Sequence, residues 1–353
     1  MCIHGSRSLN DRDWLPWTRR LIDYPVDHLD DHLSANKKRG RGVQTPTSIE
    51  QEVASQEAPV SERPVEPVVP MEVSCEEHTL ASGVFYRHWR ASSPKGVVLL
   101  AHGLGEHSGR YQHVAAALGR VGFSCLAPDH MGHGRSPGSR CFVTAFTDFY
   151  EPLDALRSQI DELYKGLPCF LIGHSMGGLI ASTYLLQRQD SFAGAAFSGA
   201  AFKVPEPPSG ILLLIARLLS LLMPRAGLMQ LDASEVSRDP QVVADYVADP
   251  LVHSGKISAR LVTELFGAID QHVRRSGEIK VPVLIMHGAG DVMTAVEGSR
   301  EFQEAVSSTD KTLKIYPDLY HEIFNEPERD QVLTDLCEWL DARVNRVASH
   351  SAS

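Results

Sequence analysis

One serine of this sequence stands in a setting that could make it a nucleophile. Ser175 is the central residue of Gly-His-Ser-Met-Gly, residues 173–177. The apolar run at residues 169–172 predicts a buried strand before it, and the apolar residues from Leu179 onward can begin a helix after it. A strand, a tight turn and a helix in this order are typical of a nucleophile elbow, in which glycines relieve crowding and the hydroxyl points out from the sheet edge. The sequence therefore predicts Ser175 as the nucleophile.

A second Gly-x-Ser-x-Gly match, at residues 134–138, shows that the pentapeptide alone is a weak signal. A proline and a glycine follow its serine, Ser136, and they cannot readily continue into a helix. The strand predicted at residues 123–127 also ends well before this motif. Context therefore favours Ser175, for which an incidental strand-to-helix turn is the alternative interpretation.

A serine at its ordinary pKa needs a base to remove its proton and an acid to orient that base. In hydrolases with a nucleophile elbow, these partners follow in the order serine, aspartate or glutamate, histidine, at the ends of later strands. Asp291 follows the strand predicted at residues 281–287, and His321 lies in the loop after the strand predicted at residues 311–316. We therefore expect His321 to take the serine proton and later protonate the leaving alcohol. Asp291 would fix its tautomer and stabilise the imidazolium.

Each of these assignments has a plainer alternative. His321 could be a surface-loop histidine and Asp291 a loop or cap residue, with Asp318 as the nearest competing carboxylate. His174 and His287 adjoin the same motifs, and we interpret both as structural residues.

The negative charge that develops in the transition state requires two backbone N–H groups aimed at one point. One is expected from Met176, directly after the nucleophile. The other is expected from Leu104 in His-Gly-Leu-Gly, residues 102–105, on the loop after the third predicted strand. That tetrapeptide could also be a simple strand-ending turn, but its position before the elbow favours an oxyanion hole.

Strand-like and helix-like stretches alternate from residue 72 onward, which predicts an α/β fold with a mostly parallel sheet covered by helices on both faces. The predicted strands are residues 72–80, 84–89, 96–101, 123–127, 169–172, 192–198, 281–287 and 311–316. Besides the helix after the elbow, helical spacing of apolar residues predicts helices at residues 111–118, 153–163, 295–305 and 332–344. Leu163 is the last member of the apolar stripe predicted for the helix at residues 153–163.

The chain divides into segments of different composition. Residues 1–70 are polar and charge-mixed and end in a stretch rich in Pro, Glu, Val and Ser, which predicts a disordered extension. Residues 71–200 and 276–347 form the predicted core, and residues 201–275 form a helical cap inserted into it. Residues 348–353 are a tail.

The predicted cap includes a long apolar run, residues 211–223, with one charge in thirteen residues. This run is too short to span a bilayer and is apolar nearly all round, so we expect neighbouring elements to cover most of its sides. It is either a helix packed on the core or a lid whose inner face lines an acyl-chain tunnel and whose outer face can dip into a lipid surface. Residues 239–252 and 261–269 predict two shorter helices.

Composition argues against several classes of function. The formal net charge of −10 argues against a nucleic-acid partner. The six cysteines are scattered, without a Cys-x-x-Cys pair or metal-like spacing, which favours a reducing compartment. We see no secretory signal and no transmembrane span, so we expect a cytoplasmic protein that could associate peripherally with membranes. No motif calls for a metal or an organic cofactor.

Several longer motifs can be considered together. They are His-Gly-Leu-Gly-Glu-His-Ser-Gly-Arg-Tyr at residues 102–111, Asp-His-Met-Gly-His-Gly-Arg-Ser at 129–136, the elbow at 173–178, and the strand at 311–316 followed by His321. Together they resemble monoacylglycerol lipases and, more widely, lysophospholipase-like serine hydrolases of the α/β-hydrolase superfamily. The resemblance spans residues 72–344 and implies an α/β-hydrolase fold with Ser175, Asp291 and His321 as its triad.

The resemblance also implies that Glu106 and Arg110 lie near the glycerol end of the site. Residues four apart at the start of a helix could equally form a salt bridge. Some members of the family carry a second histidine three residues after the catalytic one, facing the glycerol head. Here that position is Phe324, which we expect to lie at the substrate site and to alter its polar recognition.

Together these features predict a serine carboxylester hydrolase that cleaves single-chain acyl glycerol esters through an acyl-Ser175 intermediate. Its partner would be a small lipid ester, with transient contact with lipid surfaces through the cap. A lysophospholipase or an acyl thioesterase is the alternative. A non-catalytic binding protein on the same scaffold is a further alternative, which the intact catalytic positions disfavour.

Overall fold

The structure, a computed structural model, describes residues 73–351, with side chains described as far as residue 344. The extension predicted for residues 1–70 therefore lies outside the described residues, as do the side chains of the predicted tail.

A mostly parallel sheet forms the centre of the described part. The strands found there are β1 Ser74–Thr79, β2 Phe85–Arg90, β3 Gly96–Ala101, β4 Phe123–Pro128, β5 Cys169–His174, β6 Gly194–Ser198, β7 Gly227–Met229, β8 Ile257–Ser258, β9 Val283–Gly288 and β10 Lys311–Tyr316. Eight of them pair in the order β1-β2-β4-β3-β5-β6-β9-β10, and β7 pairs with β8. β1, β2 and β4 pair antiparallel, and the pairs from β4 to β10 are parallel. This confirms the predicted α/β fold.

Helices cover both faces of this sheet. In the described residues they are α1 Gln112–Arg120, α2 Tyr150–Leu163, α3 Met176–Arg188, α4 Gly210–Leu222, α5 Pro240–Ala248, α6 Ala259–Arg275, α7 Val296–Ala305 and α8 Arg329–Ser351. Every residue of β3 is buried because successive side chains point to opposite covered faces. Val97 and Leu99 join an apolar cluster with residues of α2 and α3, whereas Val98 and Leu100 join a cluster with residues of α1 and α8.

The predicted elements differ from the observed ones mainly in their ends. Each predicted strand of the main sheet lies within two residues of the observed one at either end. Leu163 is 52% exposed, so the apolar stripe predicted for α2 is wrong at its last member. The helix α6 has 17 residues and extends beyond both ends of the predicted range, because it packs against α3 as well as α4.

The segment between β6 and β9, residues 199–282, contains α4, α5 and α6, and is called here the inserted segment. The prediction that neighbours cover most sides of α4 is wrong. Only Ala216 and Ser220 of this helix are buried, and its larger apolar residues are 47–75% exposed except Leu213 and Leu219. Small side chains let α4 approach α6 along a narrow stripe, which leaves the rest of the helix in solvent. Within residues 73–351, no helix combines the length and apolarity needed to cross a bilayer.

The sheet order determines where the predicted functional residues meet. β5 lies between β3 and β6 and leads directly into α3. Because β3, β5, β9 and β10 run parallel, their carboxyl ends lie along the same edge of the sheet. The loops that follow these strands carry the predicted oxyanion tetrapeptide, Ser175, Asp291 and His321.

Candidate active site

A strained backbone turn presents Ser175 between β5 and α3. Its φ of 54° and ψ of −121° lie where residues other than glycine are rarely found. The Ser175 N–H donates to the carbonyl oxygen of Ser198 at 3.0 Å, which ties the turn to β6. A Cβ atom at Gly177 would lie 2.1 Å from the carbonyl oxygen of Ala101, so only glycine fits where α3 passes β3. The backbone thus has the strand–turn–helix form predicted for a nucleophile elbow.

His321 lies between the other two residues of the predicted triad. Its Nε2 atom is 2.8 Å from the Ser175 hydroxyl oxygen, and its Nδ1 atom is 2.8 Å from Asp291 Oδ2. The His321 side chain is 4% exposed and the Asp291 side chain is fully buried, so water competes little for these hydrogen bonds. With Nδ1–H donated to the carboxylate, Nε2 keeps the lone pair that can accept the serine proton.

Further donors hold the Asp291 carboxylate in place. Its Oδ1 atom accepts from the N–H groups of Met293 at 2.8 Å and Thr294 at 2.9 Å. Its Oδ2 atom accepts from the Thr294 hydroxyl at 2.8 Å and lies 3.1 Å from His287 Nε2. His287 thus supports the carboxylate that orients the base. Asp318, the competing carboxylate, occupies a left-handed turn with φ of 65°.

Burial and charge act in opposite directions on the histidine–aspartate pair. Burial by itself raises the pKa of Asp291, but the charge of His321 and hydrogen bonds from His287 hold that pKa well below its ordinary value. Burial by itself lowers the pKa of His321, but the charge of Asp291, the hydrogen bond to it and the nearby charges of Glu322 and Glu106 together outweigh burial and raise that pKa. Burial, together with repulsion from His321, lowers the pKa of the neighbouring His174 to about 3. His174 is therefore neutral and does not oppose protonation of the base.

The loop after β3 brings the second predicted oxyanion donor to the nucleophile. The Gly103 N–H donates to Glu106 Oε1 at 2.6 Å, which closes this loop into a tight turn. A Cβ atom at Gly103 would lie 3.2 Å from the Ser175 Cβ, so the loop passes directly against the serine. Among the described residues, neither the Leu104 N–H nor the Met176 N–H donates to a protein acceptor. Both groups are therefore available to an oxyanion, and that role stays a prediction.

A small cavity adjoins the nucleophile. Its volume is about 20 Å³, which is room for one water molecule and far too little for an acyl chain. It is lined by Gly103, Leu104, Glu106, His174, Ser175, Leu231, Val236, Tyr246, Met293, His321 and Glu322. Leu231, Val236 and Tyr246 belong to the inserted segment, so this segment closes the site.

Backbone hydrogen bonds join the inserted segment to two loops of the candidate site. On the oxyanion side, the His253 N–H donates to the carbonyl oxygen of Gly105 at 2.7 Å. On the histidine side, the Glu322 N–H donates to the carbonyl oxygen of Val236 at 2.8 Å. A displacement of the segment therefore breaks backbone hydrogen bonds to the loops that carry the predicted oxyanion donor Leu104 and the predicted base His321.

Arg110 joins two buried carboxylates next to the cavity. Its guanidinium donates to Glu106 Oε2 at 2.8 Å and to both carboxylate oxygens of Glu322 at 2.5 and 2.7 Å. It also lies 4.6 Å from the ring centre of Tyr246, in a cation–π contact. The salt bridge between Glu106 and Arg110 is thus present, and Glu106 lines the cavity whereas Arg110 does not.

Sequence reasoning missed Glu322 and Tyr246 as members of the site. Glu322 directly follows the predicted catalytic histidine, and a carboxylate at that position was the one available signal. No signal in the sequence pointed to Tyr246, because its position at the site depends on how the inserted segment folds back over the core.

We expect Arg110→Leu to lower the free energy of unfolding by about 3–5 kcal/mol. The substitution leaves the carboxylates of Glu106 and Glu322, whose side chains are 4% and 5% exposed, buried without their cation. Denaturant unfolding measures this loss. Lys203→Met is the control, because it breaks an exposed pair with Glu301 and should cost less than about 1 kcal/mol. Equal, small losses in the two variants would contradict a structural role for Arg110.

Phe324 does not line the cavity, contrary to the prediction that places it at the substrate site. It is 2% exposed and belongs to the apolar cluster that includes Ile323, Val332 and Leu336. Its carbonyl oxygen accepts from His113 Nε2 at 2.7 Å. An apolar ring gains more free energy from burial in this cluster than from a polar site, so the chain turns it into the core.

Ser136, in the second Gly-x-Ser-x-Gly match, is a structural residue. Its hydroxyl donates to the carbonyl oxygen of Asp129 at 2.6 Å and accepts from the N–H of Phe85 at 2.9 Å. The surrounding residues form turns and bends, and no helix directly follows the serine, as expected from the sequence.

A larger groove of about 590 Å³ is lined by residues of α1 and α8, among them Arg120 and Cys337. It contains no residue of the triad, so the size of a cavity does not identify the catalytic site in this molecule.

Comparison with known proteins agrees with this geometry. The family model described as Hydrolase_4, Serine aminopeptidase, S33, matches residues 92–328. The chain is 40% identical over 269 residues to a monoacylglycerol lipase of Mycolicibacterium smegmatis, covering 75% of this chain and 96% of that one. It is 34% identical over 265 residues to the monoglyceride lipase of Homo sapiens, covering 74% of this chain and 88% of that one.

A solved structure agrees as well. The monoacylglycerol lipase of Paleococcus ferrophilus superposes with a TM-score of 0.67 at 34% identity, covering 74% of this chain and 99% of that one. The match of the family model over most of the described residues, together with these relatives, is sufficient to assign the family. The chain therefore belongs to the α/β-hydrolase family described as Hydrolase_4, Serine aminopeptidase, S33.

Proposed function

We propose that this protein is a monoacylglycerol lipase, a serine carboxylester hydrolase that releases a fatty acid from glycerol through an acyl-Ser175 intermediate. One observation carries the proposal: the hydrogen bonds that run from Ser175 through His321 to Asp291, each 2.8 Å long. The relatives named monoacylglycerol lipase and monoglyceride lipase, at 40% and 34% identity, support a glycerol ester over a peptide as the substrate.

Acylation begins when His321 Nε2 takes the Ser175 proton as the serine oxygen attacks the ester carbonyl carbon. The carbonyl oxygen becomes an oxyanion, which the N–H groups of Leu104 and Met176 stabilise. Asp291 stabilises the imidazolium that forms. The tetrahedral intermediate then collapses: its bond to the glycerol oxygen breaks, and His321 protonates that oxygen so that glycerol leaves.

Deacylation repeats these steps with water as the nucleophile. His321 takes a proton from water as the water oxygen attacks the acyl carbon of the Ser175 ester. The same oxyanion donors hold the second tetrahedral intermediate. The bond to the serine oxygen breaks, His321 returns the proton to Ser175, and the fatty acid is released.

Two carboxylates at the cavity favour an uncharged head group with hydroxyls. Glu106 and Glu322 both line the cavity, and a carboxylate accepts hydrogen bonds from hydroxyl groups. The two carboxylates share one guanidinium, that of Arg110, so an excess of negative charge faces the site. A lysophospholipid would bring its phosphate toward this charge in a poorly solvated place, which disfavours it. Glycerol would not.

The inserted segment acts in this proposal as a lid. It closes a cavity too small for an acyl chain, so substrate binding requires the segment to move. The helix α4 presents Ile211, Leu214, Leu218 and Leu221 to solvent, each at least 55% exposed. A lipid surface would cover this apolar face, and binding there would draw the segment away from the catalytic loops.

An ester panel with one acyl chain and several head groups tests the proposal. We expect kcat/KM for monoacylglycerol to exceed that for the lysophospholipid by on the order of 10²-fold, because repulsion by the two carboxylates raises the barrier for the phosphate ester. An acyl-coenzyme A thioester also carries phosphates, so its kcat/KM should be as low as that of the lysophospholipid. Equal or higher kcat/KM for a phosphate-bearing substrate would contradict the proposed head group, and no hydrolysis of any ester would contradict the proposed reaction.

A further inference from the structure

Three side chains able to bind a metal ion lie together on the β1–β2 hairpin, outside the site described above. They are Glu76, His78 and His88, and one ligand atom of each lies within 4.8 Å of the others. Glu76 Oε2 and His78 Nε2 are 3.2 Å apart. Zinc bonds of about 2.0–2.2 Å in tetrahedral geometry place two ligand atoms roughly 3.3–3.6 Å apart. This pair therefore already has nearly the spacing of two ligands on one ion.

The register of the hairpin brings the three residues to one face. β1 and β2 pair antiparallel, with Glu76 opposite His88 and His78 opposite Tyr86. Glu76 and His78 are two residues apart on one strand, so they point to the same side of the sheet. His88 faces Glu76 directly and His78 diagonally, within reach of an imidazole ring.

Packing restricts both imidazole rings. The ring of His78 stacks on Tyr86 with 5.1 Å between ring centres and 26° between planes. His88 is 1% exposed, and its Nε2 atom lies 2.6 Å from the hydroxyl oxygen of Tyr164. These contacts hold both rings in place at the cluster.

Arg90 orients the carboxylate and also limits the affinity. Its Nε atom donates to Glu76 Oε1 at 2.8 Å, which leaves Oε2 turned toward His78. A hydrogen bond from a residue that does not itself contact the metal can fix the orientation of a ligating carboxylate. The guanidinium charge opposes a dication, so we expect weaker binding than at a zinc site without a neighbouring cation.

We propose that Glu76, His78 and His88 bind Zn²⁺, with water completing the tetrahedron. Two imidazoles and one carboxylate suit zinc better than magnesium or calcium, which prefer oxygen ligands. The ion would tie the edge strand β1 to β2 and so stabilise that edge of the sheet. It has no part in the reaction, because β2, β4 and β3 separate β1 from the strand that carries Ser175.

Calorimetric titration of the metal-free, full-length protein with Zn²⁺ tests this proposal. We compare wild type with His78→Ala, whose side chain is 39% exposed and can be removed without opening the core. The chain has 16 histidines, and others of them can also bind Zn²⁺. The decisive result is therefore the difference in Zn²⁺ binding between wild type and His78→Ala. We expect one site of the wild type to weaken by about 100-fold or more in His78→Ala and in Glu76→Gln.

Glu77→Gln is the matched control, because this neighbouring carboxylate points to the opposite face and pairs with Arg135. It should bind Zn²⁺ as the wild type does. Bound Co²⁺ should give the intense visible absorption of a tetrahedral site in wild type and Glu77→Gln and not in His78→Ala. Zn²⁺ should raise Tm in the same two proteins only. Absent binding, or equal stoichiometry and affinity in wild type and His78→Ala, would overturn the proposal.

Discussion

Replacing Ser175 by alanine is expected to lower kcat for monoacylglycerol hydrolysis by on the order of 10⁶-fold, as loss of the nucleophile does in other serine triads. The variant can form no acyl-enzyme, because His321 then lacks a hydroxyl to activate. Folding should be preserved, since the hydrogen bond that ties the elbow to Ser198 comes from the backbone N–H and not from the side chain. Steady-state hydrolysis and far-UV circular dichroism measure the two properties separately.

Ser136→Ala is the matched control, since it alters the serine of the other Gly-x-Ser-x-Gly motif. Its hydroxyl bridges the Asp129 carbonyl oxygen and the Phe85 N–H, so its loss should lower the free energy of unfolding by about 1–3 kcal/mol. The kcat of the folded variant should stay near that of the wild type. Activity that survives in Ser175→Ala, or disappears in folded Ser136→Ala, would refute the assignment of the nucleophile.

Asp291→Asn is expected to lower kcat by on the order of 10⁴-fold while leaving the fold intact. An amide at this position donates to His321 Nδ1 instead of accepting from it. The proton then moves to Nε2, which can no longer accept the proton of Ser175, at present 2.8 Å away. The backbone N–H groups of Met293 and Thr294 can still donate to the amide oxygen, so the loop should keep its conformation.

The control for that substitution is Asp318→Asn, which should retain near wild-type kcat. The pH profile adds a second test. His321 must be neutral to act as a base, so kcat/KM falls as pH drops through its pKa, which Asp291 raises. In Asp291→Asn the raising charge is gone, and the acid limb of the residual activity should move to lower pH. An acid limb that stays in place would show that another group is being titrated.

The fold and the arrangement of Ser175, His321 and Asp291 could be predicted because they depend on local patterns and chain order. A continuous apolar run such as β3 signals a strand buried on both faces, and glycines around Ser175 signal a turn that tolerates no Cβ atoms nearby. Asp291 and His321 were identified by their places after two later strands. Parallel pairing of those strands then brings the loops to one edge without further information from the sequence.

The surroundings of the triad were less predictable because they depend on tertiary packing. The approach of Tyr246 to Arg110 follows from the way the inserted segment folds over the core, which no local pattern encodes. The exposure of α4 was missed for a related reason, since an apolar helix carries no signal of how many neighbours it has. Phe324 was assigned by its spacing from His321, although burial decides where an aromatic ring points.

Under the proposed function, the network around Arg110 would connect head-group recognition to catalysis. Glu106 accepts from the Gly103 N–H on the loop that carries the predicted oxyanion donor Leu104, and Glu322 directly follows the predicted base His321. A single guanidinium bonds both carboxylates, so in the proposed function a head group that binds them would also contact the loop after β3 and the loop that carries His321. In that proposal, substrate orientation and transition-state stabilisation would depend on each other.

Labelling with a fluorophosphonate probe, followed by peptide mapping, tests the central claim most directly, because the probe reacts with activated serines. We predict one phosphonyl group per molecule, located on Ser175, with loss of hydrolysis in proportion to labelling and protection by monoacylglycerol. Ser175→Ala should not be labelled. A label on another residue, equal labelling of Ser175→Ala, or full hydrolysis by fully labelled protein would contradict acyl transfer through Ser175.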